Sequence, residues 1–119
     1  SMEGFELDQL IEETLSACGI SDWDEVDEER FMDWLHVHTL QRHVEIITRL
    51  TGDYEERLDS LDWLLDLKST APFSFSAVAA TLGCKSGDLQ EKTFELDGMQ
   101  KAIKQMRKLW KNKKRHIAI

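Results

Sequence analysis

The chain has 119 residues, a formal net charge of −8 and only two cysteines. That length is enough for one domain with a modest core, and no disulfide framework is needed to hold it. No apolar run approaches ~18 residues, so no membrane-spanning helix is expected, and the start lacks the basic and apolar regions of a secretion signal.

Charge is distributed unevenly. All 23 acidic residues lie within 1–100, beside seven Lys/Arg, whereas 101–119 holds eight Lys/Arg and no acid. The acidic part would repel a phosphate backbone and the basic end would be drawn to it. The alternative is that the basic end docks on the acidic body. Cys18 and Cys84 lack CxxC spacing and His partners, which points to free thiols in a reducing cytoplasm. Ser1 ahead of Met2 reads as a cloning remnant.

In chain order, Leu7, Leu10, Ile11 and Leu15 fall at helical spacing within 5–17, with Gly19 as a stop. The acidic run Ser21–Glu29 suits the positive end of the next helix dipole. Residues 25–50 carry the longest helical pattern. Trp34, Val37, Leu40, Val44 and Ile47 form its apolar stripe, widened by Ile46 and Leu50, while His38, Arg42, Glu45 and Arg49 take a polar face. Gly52 suits the position past that helix, and Asp53 with Glu56 forms an Asp version of the capping box. The next helix follows Tyr54, Leu58, Leu61, Leu64/Leu65 and Lys68, ending in Lys68–Pro72 because proline cannot donate into a helix. A two-residue connection through Gly52 predicts an antiparallel hairpin. Residues 73–80 alternate briefly, leaving a short strand open, but their Ala content and the following Leu82-Gly83 favour a helix capped by Ser74 or Ser76. The fold class is all-α: one domain over 1–119, with acidic helical support at 3–68, a turn-centred pair at 72–95 and a basic helix and tail at 99–119.

A helix-turn-helix needs a small residue where its helices cross and a glycine where the turn demands a positive φ. Ala79 and Gly83 fit those positions, Val78, Leu82 and Leu89 fit the inward anchors, and Ser86 suits the second N-cap. The run Pro72-Phe73-Ser74-Phe75, then Val78 and Leu82-Gly83, with Trp63 upstream, resembles an uncharacterised bacterial family of helix-turn-helix proteins sharing a PFSF-x-x-V-x-x-x-LG core. The resemblance covers about residues 55–95. It implies a DNA-binding module in a bacterial or phage protein and supplies no ligand. Lys92 departs from the pattern, which is usually apolar there, and Asp88, Glu91 and Glu95 are poor neighbours for a duplex. Gln90 and Thr93 remain as base contacts, with Lys85 and Ser86 toward phosphate at the turn and Lys92 as the helix's lone cation among the DNA-binding candidates.

After the Asp97-Gly98 turn, Met99, Ile103, Met106 and Trp110 set the stripe of a last helix, with Ala102 and Leu109 beside them. Lys101, Lys104, Arg107, Lys108 and Lys111 occupy its other faces, and Lys113, Lys114 and Arg115 continue as a basic arm. These cations would release counterions from DNA and add sequence-independent affinity. His36, His38 and His43 lack metal-ligand spacing, and no phosphate-binding glycine loop or catalytic constellation is present, so neither enzyme activity nor a cofactor or metal is expected. Double-stranded DNA is the expected partner, in a small transcriptional regulator that pairs as a homodimer to read half-sites. The alternative is an adaptor or anti-regulator whose acidic face binds a basic protein.

Overall fold

A computed structural model of the protein describes residues 28–50 and 52–117, together with Gln9, Glu12, Glu13 and Ser16, and the side chains of the last helix as far as residue 112. Most of the expected helix over 5–17 and most of the acidic run before residue 28 lie outside the described residues. Five helices carry the fold: α1 (Glu28–Thr48), α2 (Tyr54–Leu65), α3 (Phe75–Thr81), α4 (Ser86–Phe94) and α5 (Met99–Ile117). No strand occurs among the described residues, and the fold is all-α.

The stripe of α1 buries Val37, Leu40, Ile46 and Ile47. Its two ends diverge from the sequence pattern. Trp34 is only half-buried and stacks on His38 with ring centroids 4.7 Å apart. Leu50 is exposed, because α1 stops at Thr48, and the connection to α2 is longer than two residues, running from 49 to 53. The Thr48 hydroxyl folds back to donate to the Val44 carbonyl at 2.8 Å, occupying an acceptor of the last turn. Gly52 follows at φ +148°, a conformation open to glycine. Asp53 caps α2 by accepting from the Glu55 N–H at 3.0 Å.

α2 also ends earlier than the pattern suggests, at Leu65 rather than near Pro72. The Asp66 carboxylate accepts from the N–H groups of Lys68 and Ser69, at 2.9 and 3.1 Å. Those donors then serve a side-chain-nucleated turn instead of another helical turn. Leu65 and Leu67 are accordingly exposed.

Helices leave their last carbonyls without intrahelical donors. In this bundle, long side chains of the following elements supply them. Arg57 Nε and Nη2 donate to the Ile47 carbonyl at 3.2 and 3.1 Å, closing α1. Gln90 Nε2 donates to Leu64 O at 3.0 Å, closing α2. Gln100 Nε2 reaches Phe94 O at 2.9 Å, closing α4. Arg57 is 2% exposed and its guanidinium is held below its usual pKa by burial, so this cap sits inside the packing.

The Pro72–Phe75 motif acquires a residue-by-residue meaning. Phe73 sits at φ +63°, a left-handed conformation that costs a bulky residue about 1–3 kcal/mol. Three contacts hold it: Trp63 Nε1–H donates to its carbonyl at 2.9 Å, its ring stacks on His36 at 4.4 Å, and Ser74 N–H donates to Ala71 O at 3.1 Å. Ser74 is then the N-cap of α3, accepting from Ala77 N–H at 3.2 Å. Phe75 is fully buried and meets Trp63 edge-on at 5.4 Å. One core joins all five helices through Leu40, Leu64, Phe75, Val78, Leu89, Met99 and Met106.

Candidate nucleic-acid interface

The turn between α3 and α4 is built as the glycine required. Gly83 has φ +73° and donates to Ala80 O at 3.1 Å, while Cys84 N–H donates to Ala79 O at 3.0 Å. That pair of bonds is a Schellman closure, with glycine in the left-handed position. Ala79, Val78 and Leu82 are buried behind it, and Leu89 anchors α4 with no exposed surface. Burial and the carboxylate of Asp88 push the Cys84 thiol pKa up, which keeps it protonated and unreactive.

The outward face of α4 departs from what its sequence offered. Thr93 is fully buried, with its hydroxyl donating to Leu89 O at 2.7 Å, and lies out of reach of a duplex. Gln90 is half-buried and committed to the α2 carboxyl end. Ser86 is not the N-cap; Lys85 holds that place without a side-chain bond, and the Ser86 hydroxyl donates to Ser76 Oγ at 3.2 Å. Lys92 lies 3.4 Å from Glu95 with its side chain 27% exposed, its stem covering the position where an apolar residue was expected. Of the five α4 candidates only Lys85 is exposed, and the other exposed charges of α4 and its C-cap are Glu91 and Glu95.

α5 is the opposite case. Met99, Ala102 and Met106 are buried, Ile103 is half-buried, and Lys101, Lys104, Arg107, Lys108 and Lys111 are all exposed. At 3.6 residues per turn these five cations project into one arc of about 120°, rather than over several faces. The 3-4-3 spacing of Lys101, Lys104, Lys108 and Lys111 carries that signal in the sequence. Among the described residues none of the five is paired with a carboxylate; the ion pairs are Arg42–Glu45 and Lys92–Glu95. A shallow depression of about 490 Å³ lies along the arc, bounded by Gln100, Lys101, Ile103, Lys104 and Arg107. The segment expected to leave as an arm continues as helix to Ile117; the side chains of Lys113, Lys114 and Arg115 lie outside the described residues. Toward that end Trp110 is 50% exposed and Leu109 borders on solvent.

The α1 histidines are packing groups. His36 Nδ1–H donates to Met32 O at 2.7 Å, and His43 stacks on Trp63 at 4.0 Å with Nδ1 3.0 Å from Ser60 Oγ. Among the described residues no cluster of His, Cys, Asp or Glu has the makings of a metal site, and no helix is long and apolar enough to cross a membrane. No known family model, curated protein or solved structure matches the chain.

Proposed function

We propose that the protein binds double-stranded DNA through α5, with the α3–turn–α4 pair acting as the scaffold that orients it. The observation that carries this is the arc of five exposed cations on one helix face, unpaired with carboxylates among the described residues. From Lys101 to Lys111 the arc runs about 15 Å, long enough to follow several successive phosphates along a duplex. The apolar edge of the adjoining depression suits the sugar face, and its cations suit phosphate oxygens. The helix-turn-helix-like α4 contributes Lys85 at its exposed start, and its acids keep the rest of it off the bases. The affinity is therefore mostly sequence-independent, as expected of a small regulator or nucleoid-type protein that holds DNA by its backbone.

Fluorescence anisotropy against unrelated duplexes, titrated with salt, tests this. Five phosphate contacts give a log–log salt slope of about −4.5. The triple variant Lys101→Ala, Lys104→Ala, Lys108→Ala weakens binding to every duplex and flattens the slope by about one per lysine removed. Absence of duplex binding by the intact protein at low salt overturns the proposal. The alternative, an adaptor for a basic protein, draws on the exposed acids Glu56, Asp59, Asp62 and Asp66 along and just after α2. Capture of a defined basic partner that survives excess duplex would favour it.

A further inference from the structure

Beside the basic arc, on the flank of α5 that turns toward α2, lies a groove of about 300 Å³. Tyr54, Leu58 and Leu61 form one wall, Ile103, Met106 and Trp110 the other, and Arg107 stands at the lip. On each helix the wall extends over seven helical steps, about 10 Å. Such an apolar trough next to a cationic ridge fits a short amphipathic helix with acidic edges.

The chain contains one. Leu7, Leu10, Ile11 and Leu15 fall at helical spacing over about 12 Å, a span that matches the groove. Gln9, Glu12, Glu13 and Ser16 are helical and exposed, with Gln9 Nε2 donating to Glu13 Oε1 at 3.0 Å. Their steps of three, one and three residues define one polar face, and in the sequence pattern the helical positions 7, 10, 11 and 15 fall opposite it. Residues 2–17 carry Glu3, Glu6, Asp8, Glu12 and Glu13 and no Lys or Arg. The groove lies near the α1 carboxyl end; α1 is about 31 Å long, and residues 18–27 extend to about 35 Å, so the connection reaches. A second copy is a poorer occupant, because its own α5 would bring like charges against Arg107 and Lys111.

We propose that the α2–α5 groove is the docking site of the chain's own residues 7–15. Seated there, the segment fills the trough with leucine and isoleucine and turns the flank that carries Asp8 and Glu12 toward the α5 ridge. It then competes with phosphate for the same cations. This second consequence rests on the DNA reading above; the docking itself does not.

The test is methyl NMR on the intact chain. Docking gives NOEs from the Leu7, Leu10, Ile11 and Leu15 methyls to those of Leu58, Leu61, Ile103 and Met106. The double variant Leu10→Asp, Ile11→Asp loses them and shifts the Trp110 indole resonance, while the Val37 and Leu89 methyls report an unchanged core. That variant binds duplex DNA at least about fivefold more tightly at low salt, the lower end of a typical coupling between sites. Intact protein without these NOEs overturns the docking, as do NOEs that a mixed-label sample shows to be intermolecular. NOEs present with duplex binding absent in both forms uphold the docking and overturn the DNA reading.

Discussion

His43 is an ordinary core-edge histidine with a measurable consequence. Burial, then the positive charge of neighbouring Arg42, lowers its pKa from the usual 6.5. The imidazole is therefore neutral when folded, stacked on Trp63 and bonded to the buried Ser60 hydroxyl. Below pH 6.5 the unfolded chain takes up this proton before the folded one does, so stability falls with pH across the interval between the two pKa values. Urea unfolding midpoints should decline through that interval, and His43→Phe should remove this part of the decline while keeping the stack. Phe73 shows the other side of residue-scale chemistry. Its left-handed φ is unfavourable by itself and persists because Trp63 and His36 hold the carbonyl and the ring. No sequence pattern announces that conformation, because it is imposed by partners ten and thirty-seven residues away.

Among the elements, α4 and α5 divide labour in a way composition only partly reveals. The anchors of the α3–turn–α4 pair were legible: Leu89 inward, Ala79 small, Gly83 left-handed. Its polar residues were not, since Gln90 and Thr93 look alike on paper whether they face solvent or cap a neighbour. Gln90 belongs to the α2 carboxyl end. Gln90→Ala should therefore lower stability by about 1 kcal/mol, the net worth of one such hydrogen bond, and leave duplex affinity and sequence preference unchanged. Chemical denaturation beside anisotropy separates the two outcomes; a changed sequence preference would restore Gln90 as a base contact. In α5 the stripe of Met99, Ala102, Ile103 and Met106 was readable from its period, while Trp110 continues it only to the wall of the α2–α5 groove and stays 50% exposed. Period tells which way a side chain points along a helix and nothing about how far the neighbouring helices reach.

At the scale of the molecule, the net charge of −8 conceals two opposed surfaces. The outward side of α2 carries Glu56, Asp59 and Asp62, and α5 carries its cationic arc. Local potential rather than net charge governs binding to a polyelectrolyte within a Debye length of about 8–10 Å. At low salt the protein should be retained both by an anion exchanger and by heparin, despite a pI near 4.9. The Lys101→Ala, Lys104→Ala, Lys108→Ala variant should lose the heparin retention alone. Passage of the unaltered protein through heparin at low salt would show that the arc is too weak to act against the acidic body.

Period, punctuation and charge order are local properties and were legible in the chain: the described helices, most of their apolar stripes, a serine cap at 74 or 76, the Gly83 turn and the cationic character of α5; packing chose Ser74. Helix ends required more, because Asp66 and Thr48 compete for backbone groups that periodicity assigns to the helix. Packing sets which polar side chains close other helices, as Arg57, Gln90 and Gln100 do, and which remain for a ligand. A carbonyl left unpaired at a helix end is satisfied by whatever donor folding brings near. That donor's neighbour in space is not its neighbour in the chain.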